Sequence, residues 1–100
     1  MLKDFFLGFV KTHILYHASK APVYGVEMLE ELARHGYRLS PGTLYPTLHR
    51  LQRDGYLSAS RRVVDGKTRV YYAITRQGQA VLDEAKQRIA ELVNEVLYDE

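Results

Sequence analysis

The stretch LSPGTLYPTLHRLQRDGYL, from Leu39 to Leu57, constrains the chain more than any other, because its punctuation and its periodicity demand the same element. Ser40 stands where a helix N-cap belongs, and Pro41 suits the first helical position, which needs no amide donor. Gly55 can close the helix in a left-handed turn. Leu44, Leu48 and Leu51 recur at helical spacing and form one apolar stripe. At about 100° per residue the opposite side carries Gly42, Pro46, His49, Arg50 and Arg53, with Thr43 and Thr47 on one edge and Tyr45 and Gln52 on the other. Two arginines, small hydroxyls and a proline make an odd solvent face and a suitable surface for entering a groove. Pro46 sharpens the point: inside a helix it removes the amide that would bond the Gly42 carbonyl, at a typical cost of ~3 kcal/mol. Such a cost argues for a use. Gly42 and Pro46 together offer a small, donor-poor surface able to approach a groove floor closely.

The overall net charge of +2 conceals a strong partition. Residues 1–33 carry three basic and four acidic side chains, residues 34–76 nine and two, and residues 77–100 two and six. The middle of the chain therefore holds the whole positive field, as a polyanion-binding surface requires; a merely solvated basic surface is the competing reading of the charge alone.

Residues 3–18 read as a helix whose apolar positions, Leu2, Phe5, Phe6, Phe9, Val10 and Ile14, spread over roughly 180°, wider than one supporting surface demands. This predicts a helix covered on two sides, once by its own domain and once by something else. SKAPVYG at 19–25 reads as a break. Gly25, Met28, Leu29 and Leu32 then mark a second helix ending at Gly36, with Glu30 and Arg34 spaced for an ion pair. The short turn GYRL leads into Ser40, and two helices so joined form a helix-turn-helix. YLSASRRVV and TRVYYAIT flank Asp65-Gly66, a hairpin-turn signal, with Val70, Tyr72 and Ile74 expected to face inward and Arg61, Arg62, Lys67 and Arg69 clustered near the tip. A helix-turn-helix followed by a basic hairpin is a winged helix.

Thr75 caps a last helix over about 76–98, roughly 34 Å long at 1.5 Å per residue. Leu82, Ala85, Ile89, Leu92 and Val96 follow a three-four alternation widened by Val81, Val93 and Leu97. So long a seam calls for a partner, most simply the same helix or the first helix of a second copy. The competing reading folds the helix back on its own domain. The expected fold is thus mainly α with a small β-hairpin: residues 1–75 as a winged helix-turn-helix and residues 76–100 as a dimerisation helix packed with the N-terminal one.

At this point the chain resembles the PadR family of bacterial and archaeal transcriptional regulators. SPGTLYPTLHRLQRDGYL is similar to the family's recognition-helix motif almost position for position, YGVEMLEEL to the preceding helix, and RVYYAITRQG to the second wing strand running into the last helix. A single helix after the wing resembles the smaller of the family's two size classes. The resemblance implies a homodimer that represses from palindromic operators, with Thr43, Tyr45 and Pro46 at the DNA surface and Arg50, Lys67 and Arg69 near phosphates.

Wheel and resemblance together yield the candidate DNA-contacting set Ser40, Gly42, Thr43, Tyr45, Pro46, Thr47, His49, Arg50, Arg53, Arg62, Lys67 and Arg69. The candidate dimer set is Phe5, Phe6, Phe9, Leu82, Ala85, Ile89, Leu92, Val93 and Val96. The expected partners are double-stranded DNA and a second copy. A small aromatic effector wedged between the first and last helices, against Phe5, Phe6 and Phe9, would change the spacing of the two readers and release DNA; packing of those rings into a core is the competing reading.

Other chemistries find little support. No cysteine is present, no glycine-rich phosphate loop occurs, and His49 has no nucleophile at telling spacing, so an enzyme is not expected. His13 and His17 sit four apart, a spacing that can bind a metal, but no acidic third ligand stands beside them, and neither metal nor cofactor is expected. The N-terminal apolar run is too short for a membrane span and precedes no cleavage site, which makes a cytoplasmic protein the expectation. The alternative function is a winged helix used for protein contact, without specific DNA binding.

Overall fold

A computed structural model describes residues 1–99; Glu100, the end of the 76–100 segment, lies outside the described residues. The elements run α1 (Leu2–Lys20), β1 (Val23–Tyr24), α2 (Gly25–Arg34), α3 (Pro41–Arg53), β2 (Leu57–Val64), β3 (Lys67–Ile74) and α4 (Arg76–Tyr98). A mainly helical chain with a small antiparallel sheet is the architecture expected of a winged helix.

Both helices of the helix-turn-helix end in the same way. Gly36 (φ +89°) follows α2 and Gly55 (φ +88°) follows α3. The Tyr37 amide then bonds the Leu32 carbonyl at 2.9 Å, and the Tyr56 amide bonds that of Leu51 at 2.9 Å. These are Schellman closures, in which a glycine in the left-handed region lets two otherwise orphaned carbonyls find donors. At the other end of α3, Ser40 holds the N-cap position, but its side chain accepts no backbone amide. Its hydroxyl instead faces the Thr43 hydroxyl at 3.4 Å, a correction to the capping role expected of it. Thr75 does cap α4, accepting from the Gly78 amide at 2.9 Å, and donates to the Gly55 carbonyl at 2.6 Å. One hydroxyl thereby ties the end of α3 to the start of α4.

The sheet has the order β1-β3-β2. Asp65 (φ +52°) and Gly66 (φ +77°) form the turn between β2 and β3, both in the left-handed region that a two-residue hairpin requires. β1 lies within the stretch read as a break: Val23 pairs with Tyr72 and Tyr24 with Tyr71. Two residues carry no periodicity, so pairing of this strand depends on a distant partner. On the inner face of β3 only Tyr72 is fully buried; Ile74 is half-buried and Val70 exposed, so the expected inward alternation fades toward the wing tip.

The core gathers Val10 and Ile14 of α1, Met28 and Leu32 of α2, Leu44, Leu48 and Leu51 of α3, Leu57, Tyr72 and Leu82. Full burial of one leucine stabilises by about 1.5–3 kcal/mol. Three such residues on one face outweigh the ~3 kcal/mol that Pro46 costs, and α3 stays helical through it. Leu82 is 1% exposed, which takes it out of the partner seam and into the chain's own core. Phe6 is half-buried against Tyr37, with ring centroids 5.0 Å apart, and likewise belongs largely to its own domain. Beyond Leu82, α4 packs along α1 with Ala85 and Val93 half-covered, while Ile89, Leu92, Val96 and Leu97 stay exposed. The helix extends the molecule to 53 × 28 × 20 Å.

Candidate nucleic-acid interface

The outward side of α3 is built as its sequence implies. Gly42, Thr43, Pro46, His49, Arg50 and Arg53 are all exposed, and among the described residues Arg53 pairs with its neighbour Asp54, at 3.7 Å. A methyl added at Gly42 would meet nothing closer than the Ser40 hydroxyl at 3.7 Å, so the surface in front of the first turn is open.

Two residues at the edges of the wheel turn away from that surface. Thr47 is 4% exposed, and its hydroxyl donates to the Thr43 carbonyl at 2.8 Å. It abuts the leucine stripe, so its methyl joins the core and its polar atom is satisfied within the helix; it is not available to DNA. Tyr45 is half-buried, and its ring occupies the space a side chain on Gly25 would need. It locks α3 onto the start of α2 and contributes to a shared surface only by its edge.

The wing carries its arginines in a ladder. Arg62 and Arg69 are direct cross-strand partners, an arrangement that like charges disfavour. Each is placed over a tyrosine ring: the Arg62 guanidinium carbon lies 4.6 Å from the Tyr71 centroid, and that of Arg69 lies 4.5 Å from the Tyr24 centroid. The two rings meet edge-on at 5.4 Å. Stacking on aromatic faces offsets the repulsion and orders both side chains. The Tyr71 hydroxyl, as a hydrogen-bond partner, raises the Arg69 pKa above its ordinary value. Tyr24 enters this ladder only because β1 pairs with β3, which no spacing in the sequence announces.

Between α3 and the wing lies a cleft of about 480 Å³ lined by Tyr45, His49, Lys67 and Arg69 among others. An adjoining cleft brings His49 and Gln52 beside Arg61. Arg61 is absent from the candidate set, yet its register with Val70 places it on the same side of the sheet as α3, where Arg62 is not. The period-two alternation of a strand could have separated the two arginines.

A second feature was only half-readable. His13 and His17 of α1 meet His35 at the end of α2, one ring nitrogen of each lying within 4.8 Å of the others. Glu31 stands beside them, 3.5 Å from His17 Nε2 and 3.4 Å from His35 Nε2, and pairs with Arg34. That Arg34 pair replaces the one expected with Glu30. Burial, followed by the nearby His35 and His17, lowers the His13 pKa below its usual value.

An exposed basic face on the second helix of a helix-turn-helix, joined to a basic hairpin, defines a winged-helix DNA-binding protein. Comparison with known proteins narrows the class. Residues 14–84 match the Transcriptional regulator PadR-like family, and the chain belongs to that family. It is 50% identical over 96 residues to the transcriptional regulator Rv3488 of Mycobacterium tuberculosis, covering 96% of this chain and 90% of that one. A PadR family transcriptional regulator from Eggerthella lenta superposes with a TM-score of 0.83 at 30% identity, over 96% of this chain and 85% of that one. A PadR-like transcriptional regulator from Bacillus cereus gives 0.80 at 33% identity, over 94% and 96%. The protein is a regulator of transcription and not an enzyme. Among the described residues no helix is long and apolar enough to cross a membrane.

Proposed function

We propose that the protein acts as a homodimeric repressor that reads a palindromic operator with α3 and braces on the backbone with its wing. The observation that carries this reading is the outward face of α3, where Gly42, Pro46, His49, Arg50 and Arg53 are exposed together within the basic middle of the chain. In this reading Pro46 packs on the groove floor, Arg50 and Arg53 reach guanine edges or phosphates, and Lys67 with the wing arginines contacts phosphate. Thr43 and the edge of Tyr45 meet the groove wall.

The second copy is supported by the uncovered seam of α4 and by Phe5 and Phe9 of α1, which are 48% and 40% exposed. Pairing through this seam would cover apolar surface and set two α3 helices about 34 Å apart, one turn of duplex. An apolar cleft of about 330 Å³ between α1 and α4, lined by Phe5, Phe9 and Ile89 among others, has room for a small aromatic effector. The reading is tested by a gel shift with the DNA upstream of the protein's own gene at two salt concentrations. A specific shift that weakens with salt is expected. No specific shift at low salt would overturn it in favour of a protein-contact module.

A further inference from the structure

We propose that His13, His17, His35 and Glu31 form a binding site for one borderline divalent transition-metal ion, of the zinc, cobalt or nickel kind. Three imidazoles and a carboxylate, with no thiolate anywhere in the chain, are a donor set that suits these ions and serves magnesium or calcium poorly.

The geometry is close to that of a loaded site. Around a tetrahedral ion with bonds of about 2.0–2.1 Å, neighbouring donor atoms stand about 3.3 Å apart. Glu31 Oε1 already lies 3.5 Å from His17 Nε2 and 3.4 Å from His35 Nε2, too long for good hydrogen bonds and near that edge length. The three ring nitrogens, within 4.8 Å of one another, need to close by at most about 1.5 Å. Two of the rings come from successive turns of one helix face, and the third comes from the closure of α2 that Gly36 permits. Glu31 is also divided in use: Arg34 pairs with Oε2, leaving Oε1 toward the histidines. A carboxylate steadied on one oxygen and presented on the other is how proteins orient a metal ligand.

The cluster opens on a cleft of about 310 Å³, whose far wall includes Leu82, Lys86 and Ile89 of α4. An ion there would clamp α1 to the end of α2, and α2 packs against α3. Occupancy is therefore expected to alter operator affinity, a consequence that rests on the DNA-binding reading above.

The full-length protein, stripped with a chelator, is titrated with Co²⁺ and followed by visible absorption, then with Zn²⁺ against a chromophoric chelator. One ion per chain is expected, with Zn²⁺ displacing Co²⁺. His35 is half exposed, so His35→Ala should leave the circular dichroism spectrum intact while weakening uptake at least tenfold. Glu31→Gln, nearly isosteric, should also weaken it by about tenfold or more. No saturable uptake, or uptake that neither variant changes, overturns the site. In a gel shift, Zn²⁺ and chelator should differ by about fivefold or more in operator affinity for the native protein and not for His35→Ala. Equal affinities overturn the coupling while the uptake data still judge the site, and the absence of any shift tells against the DNA-binding reading alone.

Discussion

Gly25 opens α2, and the space left by its missing side chain is filled by the Tyr45 ring. A Cβ there would overlap the ring, so Gly25→Ala should destabilise by about 1–3 kcal/mol in urea unfolding, and much less in a Tyr45→Ala background. The contact sets how α3 leans on α2, hence how far its outward face projects. Charge is the other single-residue lever. Lys67 is exposed at the start of β3, and Lys67→Ala should lower the slope of log affinity against log salt by about one if it neutralises a phosphate. An unchanged slope would remove the wing tip from the backbone contacts. Arg62 and Arg69 are already held on Tyr71 and Tyr24, so whatever they contact, they meet it with little further loss of side-chain freedom.

Helix α3 is held by its leucine face against the local cost of its proline. Pro46→Ala restores an amide for the Gly42 carbonyl and should raise stability by about 2 kcal/mol, somewhat less than the full cost of a helical proline because alanine frees the unfolded chain. The same change should alter operator preference in a binding-site selection. Greater stability with unchanged preference would make the proline a tolerated irregularity and not part of the reading surface. The ends of α3 are better determined than its middle: Gly55 closes it, and Thr75 fastens that closure to α4. Through this joint α3 and the last helix meet within a few residues. If α4 pairs with another copy as proposed, a shift in that pairing has a short path to the outward face of α3.

Helix α4 serves two regions at once, and two of its leucines separate them. Leu82 is 1% exposed and belongs to the core; Leu92 is 49% exposed and belongs to the seam. Leu82→Ala should cost about 2–5 kcal/mol with no change of oligomeric state. Leu92→Glu should leave the secondary structure intact, yield a monomer in size-exclusion chromatography with light scattering, and weaken operator binding by tenfold or more, since one half-site then binds alone. A native protein that runs as a monomer would overturn the dimer reading outright.

The elements themselves were legible in the chain because their causes are local. Proline at the first turn, glycine where φ is positive, Asp-Gly between alternating strands and leucines at helical spacing each act within a few residues, and α3, the hairpin and α4 stand where those signals put them. The outward face of α3 was legible for the same reason. Contacts between elements were not. A helical wheel could not tell that Thr47, beside the leucine stripe, would be covered, or that Tyr45 would settle on Gly25. β1 was invisible because its hydrogen bonds are made to a strand far along the chain. His13 and His17 announced half a cluster; His35 and Glu31 complete it only after α2 folds back across α1. Periodicity records the polarity of a face, whereas the atoms that come to lie against that face are chosen when the helices pack.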